Sequence, residues 1–232
     1  NDGLDAFIEN TVPRLMLMNT VALVNVAGRS VDDYIRVCAA LDSQTPVRAF
    51  EINISCPNVK EGGLAFGSTA ASAAALVARV RKATRKPLVV KLSPNAADIA
   101  EIARAAEDSG ADGVSLINTI TGMVIDVERR RPMLANVTGG LSGPAIRPIA
   151  VRMVWQAAGA ITIPVIGVGG IFSARDALEF IIAGASLVQV GCGMFVKPRL
   201  PLDVIGGIEE YLVRHGCGSV RDIVGSLRVS EE

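Results

Sequence analysis

An excess of charge of either sign is missing from this sequence: Lys and Arg total 23, and Asp and Glu total 23. That balance leaves no basic field for nucleic acid and no charged tail. Aromatic residues are scarce at 4%, too few for a surface on which bases stack. The four cysteines, Cys38, Cys56, Cys192 and Cys217, lie far apart, so no local metal or iron–sulfur motif exists. Scattered thiols in an alanine-rich chain are those of a reducing cytosol, and a cytoplasmic location is expected. No apolar run reaches the roughly 20 residues of a membrane span, so no membrane partner is expected.

What the sequence does have is core. Half of its 232 residues are hydrophobic, enough for one large domain over 1–232. Six short runs rich in Val, Ile and Leu recur at even spacing: 21–26, 49–54, 87–92, 113–117, 164–168 and 187–191. They lack polar alternation, as strands covered on both faces do. Helical stretches with readable starts lie between them. Ser30 is followed by Asp33, Ser173 by Asp176, and Ser68 and Thr69 precede an alanine-rich run to about Thr84. Pro144 and Pro201 open two others, and Gly110 closes the one over 96–109. Six strand–helix units imply parallel strands with right-handed crossovers. A doubly wound sheet and a (β/α)₈ barrel both satisfy this. Even spacing, glycine-rich ends on the last two strands and polar residues gathered at strand C-termini favour the barrel. One polar insertion, at about 121–142, interrupts the rhythm and carries Arg129-Arg130-Arg131-Pro132. It reads as an excursion over the barrel mouth.

The strand ends carry the chemistry. Asn25 ends the first run and Asn53 the second, with Cys56 and Asn58 just beyond. Lys91 ends the third, and Asn118-Thr119 the fourth. In a parallel barrel these ends share one face, where active sites sit. Carboxamides both donate and accept without charge, so several of them suit a neutral heterocycle with alternating N–H and C=O groups, such as a pyrimidine imide. Each asparagine alone is equally well a turn cap. Lys91 lies in the apolar run Val-Val-Lys-Leu, where a lysine either neutralises a developing anion or snorkels to water. Gly167-Val168-Gly169-Gly170 and Gly191-Cys192-Gly193 end the last two strands. Glycines there let backbone N–H groups approach an anion, and phosphate is the expected one, with Gly143 joining from the preceding helix start. Cys56 lies beyond a strand end, before a loop with hinge candidates Gly62 and Gly63. Closure of that loop would exclude water. The single histidine, His215, is remote in sequence, so Cys56 reads as a proton-abstracting base rather than half of a Cys–His pair.

Taken in order, "NISCPNVKEGGLAFG", "VVKLSPN", "SLINTITGM", "RRRPMLANVTGGLSGPAIRPIA", "GVGGI" and "VQVGCGMF" resemble the catalytic subunits of the class 1B dihydroorotate dehydrogenases, over nearly the whole chain. The resemblance implies an FMN-bearing (β/α)₈ barrel that oxidises dihydroorotate to orotate in pyrimidine synthesis. By motif, Cys56 is similar to the base that takes the C5 proton. Asn53, Asn58, Asn118 and Thr119 resemble pyrimidine contacts. Asn25, Asn53, Lys91, Ile117, Gly143, Gly169, Gly170, Gly191 and Cys192 resemble FMN contacts. The resemblance also implies a homodimer within a heterotetramer, whose second subunit carries FAD and an iron–sulfur cluster and passes electrons to NAD. Two departures stand out. Cys192 occupies a position where the family usually has Thr, which would weaken FMN binding. The family's first two strand–helix units would have to precede Asn1, so this segment reads as N-terminally shortened, and by itself is expected to be poorly stable and inactive. A pyrimidine-reducing enzyme like dihydropyrimidine dehydrogenase, a phosphate-binding barrel without redox chemistry, and an inactive fragment are the competing readings.

Overall fold

The computed structural model describes residues 3–55 and 66–229. The six apolar runs form β1 (Ala22–Val26), β2 (Val47–Asn53), β3 (Leu88–Lys91), β4 (Gly113–Leu116) and, after an insertion, β9 (Val165–Val168) and β10 (Leu187–Gln189). All pair in parallel, in the order β1-β2-β3-β4-β9-β10. The order never reverses. A doubly wound sheet, built around a reversal of strand order, is thereby excluded.

The helices begin where short polar side chains can accept from the first free N–H groups. Ser30 and Asp33 form a reciprocal capping box at the start of α1 (Val31–Asp42). Thr69 caps α2 (Ala70–Arg81), and Ser173 caps α5 (Ala174–Ile182). Asp98 caps α3 (Ile99–Asp108), later than the start expected at Ala96, because its carboxylate accepts from both Ala100 and Glu101. Pro144–Ile146 is a turn of 3₁₀-helix leading into α4 (Arg147–Ala158). A four-residue helix α6 (Gly193–Val196) and the long α7 (Leu200–Arg214) end the series. Each helix packs on its neighbour in the succession α1, α2, α3, α4, α5, α7, forming one outer layer. A further helical segment, Leu4–Met16, precedes β1.

Alternation along each strand divides core from lumen. On β2, Phe50 and Ile52 are fully buried on the helix side, while Glu51 and Asn53 point the other way. The inner face reveals how far the sheet bends. Gln189 on β10 donates a hydrogen bond of 2.9 Å to Glu51 on β2, four strand steps away. At about 4.8 Å per step a flat sheet would hold those strands roughly 19 Å apart. Two side chains cannot bridge that, so the sheet is strongly curled and its inner face is a concave lumen.

The insertion is a nested pair of antiparallel ladders. β5 (Ile120–Gly122) pairs with β8 (Gly139–Leu141), and inside it β6 (Ile125–Asp126) pairs with β7 (Arg131–Pro132). Asp126 closes the inner turn by accepting from the backbone of Glu128 and Arg129.

Candidate active site

The parallel register brings the expected residues to one end of the sheet. Asn25 lies opposite Glu51, Asn53 opposite Lys91, and Lys91 opposite Ser115. Ile117 and Asn118 follow β4 directly, after a cis peptide between Leu116 and Ile117. Gly169, Gly170, Gly191 and Cys192 follow β9 and β10.

Two polar clusters organise this rim. In the first, the Asn53 carbonyl oxygen accepts from the Ser55 backbone (3.3 Å), the Ser55 hydroxyl (3.1 Å) and the Asn118 amide (3.3 Å). Asn118 also donates to the Ser55 hydroxyl at 2.7 Å, and its own oxygen accepts from the Thr119 backbone at 2.8 Å. The oxygen of Asn53 is thus saturated, and its amide N–H groups have no partner among the described residues. Two carboxamides are thereby held in fixed orientation by one buried serine. Thr119 lies against Gly140 of β8, beneath the insertion.

The second cluster centres on a residue the sequence analysis passed over. Glu51 is 4% exposed. Its carboxylate accepts from Asn25 (2.5 Å), Ser115 (2.7 Å) and Gln189 (2.9 Å), and lies 3.7 Å from the Lys91 ammonium. Burial pushes this carboxyl up. The Lys91 charge and the donors on Ser115, Gln189 and Asn25 more than offset that, holding it below the ordinary range and ionised. Lys91 is therefore not the snorkelling lysine considered above: its side chain is 17% exposed and faces a buried anion. The clue was available, since a carboxylate inside the apolar run Ala-Phe-Glu-Ile-Asn-Ile needs a buried partner as much as the lysine does.

The glycines make a third feature. Gly143 and Gly170 both have positive φ, 95° and 71°. A Cβ on Gly170 would lie 2.6 Å from the Gly143 carbonyl oxygen, so the two loops touch backbone to backbone. Gly169 packs on Ala150, Ile146 and Ile117, which joins Ile117 to the same cradle. A Cβ on Gly193 would lie 2.8 Å from the Ile171 carbonyl, which sets the β10 loop beside the β9 loop. Among the described residues, and chain neighbours aside, no atom lies within 4 Å of the space a Cβ on Gly191 would fill. Arg147, against Gly170, is tied down by Asp176, whose other oxygen accepts from the Phe172 backbone at 2.9 Å. That pair fixes the loop after β9 to the start of α4. Crowded backbone beside an open glycine suits a phosphate held by N–H groups. With the Asn53 amide, whose N–H groups have no partner among the described residues, and the ammonium of Lys91, the rim fits a phosphate-bearing ring cofactor.

Cys56, Asn58 and the loop with Gly62 and Gly63 lie outside the described residues. Cys38 is fully buried in α1 and its thiol is pushed up to about 12 by burial, as an inert core thiol would be. Among the described residues no group of three or more His, Cys, Asp or Glu is arranged to hold a metal ion. No helix among them is long and apolar enough to cross a membrane.

Comparison with known proteins agrees with this geometry. The family model described as "Dihydroorotate dehydrogenase" matches residues 1–212. Two relatives named "Dihydroorotate dehydrogenase B (NAD(+)), catalytic subunit" are similar over almost the whole chain. The one from Bacteroides thetaiotaomicron is 54% identical over 229 residues, covering 99% of this chain and 76% of the relative. The one from Trichlorobacter lovleyi is 55% identical over 227 residues, covering 98% and 75%. Among solved structures, a dihydroorotate dehydrogenase from Eimeria tenella, in complex with ferulenol, superposes with a TM-score of 0.79 at 23% identity, over 97% of this chain and 68% of that one. At that identity the likeness speaks to the fold. On the family model and the relatives together, this chain belongs to the dihydroorotate dehydrogenase family.

Proposed function

We propose that the chain oxidises dihydroorotate to orotate, with FMN bound in the rim described above. The observation that carries this reading is the meeting, at one end of the lumen, of Asn25, Asn53, Lys91 and Asn118 with the Gly143–Gly170 cradle. The relatives' printed names supply the substrate and the acceptor class.

In this reading, backbone N–H groups around Gly143, Gly169, Gly170, Gly191 and Cys192 hold the phosphate. Lys91, Asn25, Asn53 and Ile117 contact the ring. Asn53, Asn58, Asn118 and Thr119 hold the pyrimidine, and the Ser55 anchor keeps two of those amides from rotating. Such fixing lowers the entropy lost when the substrate is oriented. Cys56 takes the proton from C5 while C6 gives up a hydride. FMN, when bound, supplies the two-electron acceptor. The protein's share is to bind, to orient and to stabilise negative charge through Lys91.

The curl, the unreversed strand order and the single helical layer support a (β/α)₈ barrel of which 1–232 forms one domain and supplies six strands, the place of the other two being between β10 and β1. The relatives' designation as a catalytic subunit acting with NAD(+) supports an electron-transfer partner. The cysteines of this chain are too scattered for a cluster, so we assign FAD and the iron–sulfur centre to that partner, in a heterotetramer built on a homodimer.

The test is spectroscopic. The purified full-length protein should carry flavin absorption, and anaerobic addition of dihydroorotate should bleach it while dihydrouracil leaves it coloured. Bleaching by dihydrouracil alone would favour a dihydropyrimidine dehydrogenase-like enzyme. A colourless protein that takes up no added FMN would sink the reading.

A further inference from the structure

A buried carboxylate that touches four of the other five strands at once is more than a counter-ion. The four groups around Glu51 come from β1, β3, β4 and β10, and all approach from the lumen side. One oxygen is used by Asn25 and Lys91, the other by Ser115 and Gln189. Both oxygens are therefore engaged, by three hydrogen bonds and one ion pair. Of the four, only Lys91 is charged, and it ends its strand at the rim while Glu51 sits two residues short of the end of β2. The register places Glu51 two residues deeper along the strands than Lys91, which lies opposite Asn53. The carboxylate does two things to Lys91. It restrains a flexible four-carbon chain, and it cancels part of the positive field that the ammonium projects into the lumen.

We propose that Glu51 is a positioning residue that sets the orientation and the effective charge of Lys91, and through it the reduction potential of the bound flavin. The proposal rests on the FMN reading above. Reduction adds negative charge to the ring, and a positive neighbour favours it. Glu51 opposes that bias at close range in a poorly solvated site, where charges act strongly. Glu51→Gln keeps the shape and, with its oxygen toward Ser115 and Gln189, keeps those two hydrogen bonds; its NH2 group cannot accept from Asn25, and the opposing charge is removed.

The measurement is the midpoint potential of FMN in the flavin-loaded protein, by equilibration with reference dyes. In Glu51→Gln the ratio of reduced to oxidised FMN, at the potential where the parent is half reduced, is expected to rise at least tenfold, a shift of about 30 mV for a two-electron couple. Glu51→Asp, which keeps the charge, is expected to lie closer to the parent than Gln does. A purely packing role predicts the reverse order of damage, since Asp is the poorer fit, and no change of potential in either variant. An unchanged ratio in Glu51→Gln overturns the proposal. Should Glu51→Gln fail to fold, Lys91→Met is compared with Lys91→Met/Glu51→Gln. The single variant leaves an unopposed carboxylate and its ratio should fall. The double variant should recover it at least threefold, and equal ratios in the two overturn the proposal. If the parent binds no FMN at all, it is the functional reading that fails, and the failure is seen before any variant is made.

Discussion

Gly191→Ala separates a phosphate cradle from an ordinary glycine turn. Among the described residues, and chain neighbours aside, no atom lies within 4 Å of the space its methyl would occupy, and Gly191 is not among the glycines with positive φ. The fold should therefore tolerate the change. Gly→Ala at a compatible position typically adds about 0.4–1 kcal/mol of stability, which for a chain of this size raises Tm by about 1–4 °C. Binding is another matter. If the Gly191 N–H contacts the phosphate, the methyl stands in the anion's place. Loss of one hydrogen bond to a charged group costs about 1.5–3 kcal/mol, a roughly 10- to 150-fold rise in Kd for FMN. Gly170→Ala is the contrasting variant. Its φ of 71° disfavours any Cβ, and the added carbon would lie 2.6 Å from the Gly143 oxygen. The backbone conformation costs about 1 kcal/mol and the overpacking about 1–3 kcal/mol, so Tm should fall by roughly 4–16 °C. Differential scanning fluorimetry of the flavin-free protein gives the stabilities, and quenching of FMN fluorescence gives the affinities. Gly191→Ala binding FMN as tightly as the parent would refute the cradle. A fall in its Tm matching that of Gly170→Ala would refute the packing argument.

Further outcomes follow from the same geometry. Lys91→Met strands the Glu51 carboxylate, and removing one partner of a buried pair costs about 3–5 kcal/mol; three neutral donors remain on Glu51, so the lower end is expected in urea melts. A loss under 1 kcal/mol would contradict the burial. The carboxyl of Glu51 is lower in the folded protein than its ordinary value, so its contribution is present above the ordinary glutamate range, near pH 4.5, and disappears as pH falls through the folded value. Parent protein should thus lose Tm below about pH 4 more steeply than Glu51→Gln, and parallel curves would count against the network. Cys56→Ala should slow flavin reduction by dihydroorotate about 10²–10⁴-fold while FMN stays bound; a loss under threefold removes the base assignment. Cys192→Thr should tighten FMN binding in titration, and an unaltered Kd would mean that only the backbone of that residue matters.

Much of this architecture is written in local chemistry. The six apolar runs became the six parallel strands, and Ser30, Thr69 and Ser173 start the helices they precede. These features depend on neighbours within a few positions. The rim was legible for the same reason: Asn25, Asn53, Lys91 and Asn118 mark strand ends, and parallel pairing then carries them together. What escaped was set by distance along the chain. Glu51 meets Gln189 across 138 positions, and nothing near either residue names the other. Ser55 was invisible as an anchor because the second of its partners, Asn118, follows β4 and lies 63 positions away. The insertion showed as a break in rhythm, while its nested ladders required the pairing of Ile120–Gly122 with Gly139–Leu141. Asp98 displaced the start of α3 by competing successfully for the first N–H groups, an outcome that composition alone does not rank.

The bond from Gln189 to Glu51 also bears on assembly. Until the final strand docks, the acid lacks one of its donors in a place that water scarcely reaches, so intermediates without that strand carry a charge penalty. If Lys91 contacts the ring as proposed, ring binding and completion of the sheet would be coupled through a single acidic side chain. A ligand that steadies Lys91 would also tighten the grip between strands at opposite borders of the sheet, and occupancy of the pocket should be felt as resistance to unravelling at an edge far removed in sequence.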